Sequence, residues 1–198
     1  SLGCVGALFL MRDFGTALIF FATFLVIAFM RSGDVKTIGL ISVAAVLGAG
    51  LIIYFKPYVA SRFEAYRHVW EYANDGGFQQ TRVLSYSASG GFFGLGIGEG
   101  RLRHIFASTT DLIFGVICEE WGLVVGFCVI LCFAFVAVYA LRLARHARST
   151  VYSIAAVASA ALLLVQLSLN VFGITDLLPL TGVTLPFISR GGTSMICS

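Results

Sequence analysis

Four uncharged apolar stretches, residues 14–30, 37–55, 121–141 and 149–175, constrain this chain more than any other feature. A helix needs roughly 20 such residues to cross the hydrocarbon core of a bilayer. Lipid offers backbone N–H and C=O groups no partner, so the spanning segments must satisfy them internally. The expectation is an all-α integral membrane protein, a polytopic helical bundle with spans at about 14–30, 37–55, 112–141 and 149–175. Hydrophobic residues at 59% and charged residues at 12% agree with that class and exclude an ordinary water-soluble domain. Residues 1–11 are apolar but too short to span and lack the basic flank of a signal peptide, so they read as the end of another helix. A further apolar run begins at 195–198. The whole of 1–198 is therefore expected to be one incomplete membrane domain.

Charge placement gives orientation. The connection at 142–148 carries Arg142, Arg145, Arg148 and His146 with no acid, the pattern of a short cytoplasmic loop. Counting spans from it places the long segment 56–111 outside, together with Asp13 and the residues after Asp176. That outer segment is itself basic, with Lys56, Arg62, Arg67, Arg82, Arg101 and Arg103 against Glu64, Glu71, Asp75 and Glu99. Such a surface beside a bilayer suits an anionic headgroup, and it equally suits interfacial anchoring by long basic side chains. A net charge of +3 without a basic tail or arm gives no ground for nucleic-acid binding. The glycines at 90, 91, 94, 96, 98 and 100 follow no strand and precede no βαβ unit, so they point to a tight re-entrant turn and not to a dinucleotide loop. Cys118, Cys128 and Cys132 fall inside expected helices as small packing residues, and no set of metal ligands is visible.

Three places could carry chemistry. Asp111 ends the polar loop and begins an apolar helix. A carboxylate there can cap the helix, or serve as a general base, since partial desolvation strengthens it as a proton acceptor. Glu119 and Glu120 lie eight and nine residues further on. Acids at that depth need a partner or a cavity; on a continuous helix Glu119 is about 80° around from Asp111 and Glu120 about opposite. Both acids could pair with basic residues of other helices; if one joins Asp111, it is Glu119. The third place is 177–192, where two prolines and three glycines forbid a straight helix. Non-helical backbone at membrane depth belongs against protein or around a cavity. Asn170 and Asp176 just before it could bond its freed backbone groups.

In order, Asp-Phe-Gly-Thr at 13–16, Pro57-Tyr58, Gly-Gly-Phe-Phe-Gly-Leu-Gly at 90–96, Thr-Asp-Leu-Ile-Phe at 110–114, Glu-Glu-Trp-Gly at 119–122 and Leu-Pro-Leu-Thr-Gly-Val-Thr-Leu-Pro-Phe-Ile-Ser at 178–189 resemble the SEDS family, the FtsW/RodA/SpoVE group. The resemblance runs nearly end to end. It implies the fifth to ninth helices of a ten-helix fold with a large extracytoplasmic loop at 56–111. It also implies a multi-pass protein of the bacterial cytoplasmic (inner) membrane that polymerises lipid II, the undecaprenyl-pyrophosphoryl disaccharide-pentapeptide, into glycan strands for division, elongation or sporulation. Asp111 matches the family's catalytic aspartate. Arg62 and Arg82 are implied for the diphosphate, with Glu119, Ser189, Gly191 and Gly192 as further substrate-binding candidates. No cofactor is evident, although a divalent cation on the pyrophosphate is compatible. The partner implied is a class B penicillin-binding protein, and the competing roles are a lipid II flippase or a non-catalytic scaffold for that partner. The family often has His where this chain has Thr109, Pro at Arg12, Tyr at Arg190 and a small residue at Asp176.

Overall fold

The computed structural model describes residues 14–34, 36, 39, 41–43, 78–105, 108–147, 149–178 and 180–190. Most of the expected span 37–55 lies outside the described residues, as do Asp13, Arg62, Gly191 and Gly192. The elements are α1 (Phe14–Ser32), α2 (Phe78–Ser89), a 3-10 turn (Leu102–His104), α3 (Ile113–Glu120), α4 (Gly122–His146) and α5 (Thr150–Ile174). Among the described residues all regular structure is helical.

Three helices, α1, α4 and α5, are long and apolar enough to cross a membrane. At about 1.5 Å per residue, the 19 residues of α1 reach about 28 Å, and the 25 of α4 and of α5 about 38 Å. Phe127 and Phe135 of α4 are 58% and 77% exposed, a surface that lipid accommodates and water does not. Two hydroxyls within these helices turn back on their own backbone. Thr23 Oγ1 donates to Ile19 O at 2.8 Å and Ser168 Oγ to Leu164 O at 2.8 Å, which keeps those two hydrogens paired inside the helix. Gly33, at φ +62°, ends α1 by donating its N–H to Phe29 O, a left-handed cap that a side chain would strain. The chain is a multi-pass helical membrane protein.

It packs as two compact units. One takes in Ser1–Glu64 and Ala137–Leu162, the other Ala65–Val136 and Leu163–Ser198. In the first, Ser153 Oγ donates to Ala144 O at 2.9 Å, tying the start of α5 to the last turns of α4. In the second, Val83, Leu102, Leu112, Phe114, Cys118 and Ile174 form one buried cluster and Phe133, Leu167 and Leu185 another.

The expected helix over 112–141 is not continuous. It breaks at Trp121–Gly122, where Gly122 takes φ +85°. A break frees carbonyls at the end of α3 and N–H groups at the start of α4, and the glycine-rich turn fills both needs. Leu95 N and Gly96 N donate to Glu119 O and Glu120 O, while Leu123 N and Val124 N donate to Gly91 O and Phe92 O. Backbone approaches backbone so closely that a Cβ on Gly94 would stand 2.3 Å from Glu120 O, and one on Gly122 2.3 Å from Phe92 O. The glycine run is thus a plug for a broken helix, more specific in purpose than the re-entrant turn expected from sequence.

Candidate functional site

Asp111 lies in a turn, not in a helix. The cap position of α3 falls one residue later, at Leu112, which has no side-chain oxygen to offer. Three successive carbonyls of this turn each accept one hydrogen bond from the far end of the chain. Arg190 N donates to Thr109 O at 2.9 Å, Ser189 Oγ to Thr110 O at 2.7 Å, and Asn170 Nδ2 to Asp111 O at 2.9 Å. Asn170 uses its second amide hydrogen on Val183 O at 2.7 Å. Its amide orientation follows from that pair, because two carbonyls demand two donors. Asn170 Oδ1 is buried and accepts nothing among the described residues.

The segment after α5 is held in a shape that brings it to the Asp111 carboxylate. Asp176 takes φ +58° after the last turn of α5, and Leu177 N donates to Phe172 O at 3.0 Å, the six-to-one bond of a Schellman cap. Gln80 of α2 fixes this cap, donating Nε2 to Gly173 O at 2.9 Å and to Asp176 Oδ1 at 3.0 Å. Further on, Leu185 N donates to Ser189 Oγ at 2.7 Å and Ser189 N to Leu185 O at 3.0 Å, closing a knot around the buried Pro186. Between cap and knot, Gly182 at φ +73° passes the site, where a Cβ would lie 3.5 Å from Asp111 Oδ2. The half-buried Asp111 carboxylate therefore stands on a turn held by three hydrogen bonds, beside the one residue of that segment, Gly182, that carries no side chain.

The other sequence candidates are distributed differently. Ser189 reaches the site, but its hydroxyl is buried, gives its one hydrogen to Thr110 O and accepts from Leu185 N, so it positions the turn. Glu119 is completely buried, and its two oxygens accept from Arg101 N at 2.8 Å and Leu102 N at 2.9 Å. Those bonds hold the start of the 3-10 turn, so among the described residues its partner is backbone. Arg82 stays on α2, donating to Tyr86 Oη at 3.3 Å with its guanidinium 5.3 Å from the centre of the Phe78 ring. Asn170 was legible as a polar residue in an apolar span that could serve the backbone after it, and it does. Its hold on Asp111 was not, and Gln80 carried no signal at all.

Comparison with known proteins places these features in a family. The family model for FtsW/RodA/SpoVE cell cycle proteins matches residues 2–198. Stage V sporulation protein E of Bacillus subtilis is 31% identical over 98% of this chain and 55% of its own length. A probable peptidoglycan glycosyltransferase FtsW of the same organism is 33% identical over 96% and 50%. A peptidoglycan glycosyltransferase RodA of Mycobacterium leprae is 31% identical over 94% and 40%. The chain thus spans about half the length of the curated relatives it matches. Among solved structures, a chain of a peptidoglycan synthase complex superposes with a TM-score of 0.76 at 24% identity, covering 98% of this chain and 55% of that one, which speaks to fold. The chain belongs to the FtsW/RodA/SpoVE family of cell cycle proteins.

Proposed function

We propose that this chain is the catalytic half of a peptidoglycan glycosyltransferase that polymerises lipid II outside the bacterial cytoplasmic membrane, with Asp111 as general base. Asp111 takes the proton of the acceptor's GlcNAc 4-hydroxyl as that oxygen attacks C1 of the donor's MurNAc. The C1–O bond to the diphosphate breaks, and undecaprenyl pyrophosphate leaves with the electron pair. The observation that carries this reading is the fixed turn of Asp111: a base must be held within hydrogen-bond reach of its proton, and three bonds from Arg190, Ser189 and Asn170 hold this one. Gly182 passes beside the carboxylate without a side chain to cover it. Arg62 and Arg82 are assigned to the diphosphate, where guanidinium groups suit phosphate oxygens, and Gly191 and Gly192 to the edge of the substrate path. In this reading the chain supplies helices five to nine of ten, and its segment 56–111 faces outward. The partner is a class B penicillin-binding protein.

The test is lipid II polymerisation by the full-length protein with its transpeptidase, wild type against Asp111→Asn at matched folding and complex formation. Glycan strands from the wild type alone support the assignment. Equal product from both removes Asp111 from the mechanism, and no product from either favours a flippase or a scaffold.

A further inference from the structure

We propose that the groove between the carboxyl end of α4 and the amino end of α5 binds the phosphodiester headgroup of an anionic membrane phospholipid. This inference is independent of the role of Asp111. The groove is an open cleft of about 450 Å³, within the roughly 300–1,000 Å³ that small-molecule sites span. Tyr139, Arg142 and His146 line it from α4 and Tyr152 and Ala156 from α5, with Ala147 in the connection. The spacing of three and then four residues puts the α4 members on one helix face. The two alanines keep the cleft open where larger side chains would close it.

Its charge has one sign. No Asp or Glu occurs anywhere between residues 121 and 175, whereas Arg142, Arg145, His146 and Arg148 fall within seven positions. His146 Nδ1 donates to Arg142 O at 2.9 Å, which fixes the ring and leaves Nε2 as its remaining polar atom. The Arg142 guanidinium forms no hydrogen bond or ion pair with a described residue. A planar fork of donors that is paired to nothing among the described residues, flanked by tyrosine hydroxyls, suits phosphate oxygens.

The surroundings distinguish a lipid from a soluble anion. α4 and α5 are both of membrane-spanning length, so the connection between them lies where headgroups lie. Tyr139 and Tyr152 are 67% and 74% exposed, the disposition of aromatic residues at a membrane–water boundary. Leu143 and Val151 beside them are also exposed and offer apolar surface to the acyl chains. A soluble phosphate would use the arginine and leave that rim in water.

The experiment is native mass spectrometry of the detergent-purified full-length protein titrated with phosphatidylglycerol or phosphatidylcholine. The wild type should retain phosphatidylglycerol preferentially, and Arg142→Gln should weaken that retention about fivefold, which corresponds to about 1 kcal/mol for one basic residue at an anionic surface. Ala156→Phe, which fills the cleft without changing charge, should weaken it similarly. Arg31→Gln, which removes a charge not lining the cleft, should leave it unchanged. Equal retention of the two lipids, or undiminished phosphatidylglycerol binding in both cleft variants, overturns the proposal. Displacement of the lipid by equimolar glycerol phosphate also overturns it, because the ligand is then a soluble phosphate.

Discussion

Replacing Asn170 tests whether the turn of Asp111 is held by the bonds that the structure assigns to it. Asn170 is 3% exposed and gives one hydrogen to Asp111 O and one to Val183 O. Asn170→Ala strands both carbonyls, each at a cost of about 1–3 kcal/mol if no water reaches it. The same change removes the orphaned Oδ1, recovering about the cost of one such group. The net expectation is a loss of about 1–3 kcal/mol. Asn170→Asp has nearly the same shape but turns an acceptor toward those carbonyls, so it should cost more than alanine does. Thermal melting of the full-length protein in detergent reads the stability. Lipid II polymerisation at matched folded fraction reads the placement of Asp111, and the loss should fall on kcat more than on KM. If Asn170→Asp melts no lower than Asn170→Ala and both polymerise like wild type, the turn is held by something else.

Two further substitutions address the backbone elsewhere. Gly122→Ala should destabilise by at least about 2 kcal/mol, because a side chain at φ +85° is strained and its Cβ meets Phe92 O at 2.3 Å; Gly91→Ala, at φ +59° with open space, should carry only the strain of about 1 kcal/mol, and equal melting shifts for the two would remove the close approach as a cause. At the cap of α5, Asp176→Gly exchanges the hydrogen bond from Gln80 for relief at φ +58° and should melt near wild type, whereas Asp176→Ala loses the bond and keeps the strain, falling about 1 kcal/mol lower. Identical melting temperatures for glycine and alanine would show that the left-handed angle does not matter there.

The hydrophobic runs disclosed the long helices because lipid leaves an uncharged stretch of that length few alternatives. The prolines and glycines after Asp176 likewise marked a segment that could not be helical. The break at Trp121–Gly122 was hidden because a single glycine within an apolar run is common in membrane helices, and its left-handed angle depends on carbonyls supplied by Gly91 and Phe92 thirty residues away. Glu119 was legible only in part for a related reason. Sequence shows an acid at depth and the need for a partner; among the described residues the N–H groups of Arg101 and Leu102 meet that need, and backbone donors carry no residue-type signature. The meeting of Asp111 with Asn170 and Ser189 is a contact across more than fifty positions, beyond the reach of local periodicity.

The same dependence on backbone atoms makes two positions beside Asp111, Thr109 and Arg190, tolerant of substitution. Both residues are exposed, and the bond that joins them runs from Arg190 N to Thr109 O, atoms that every residue other than proline supplies. Substitution there changes what the surface presents to solvent or ligand and leaves the bond in place. Ser189 and Asn170 are different: their bonds to Thr110 O and Asp111 O come from side chains, and both residues are almost completely buried. Variation near Asp111 is therefore expected to be free at 109 and 190 and confined at 170 and 189. That is the division that exchangeable backbone partners and irreplaceable side-chain donors impose on a turn that must stay where it is.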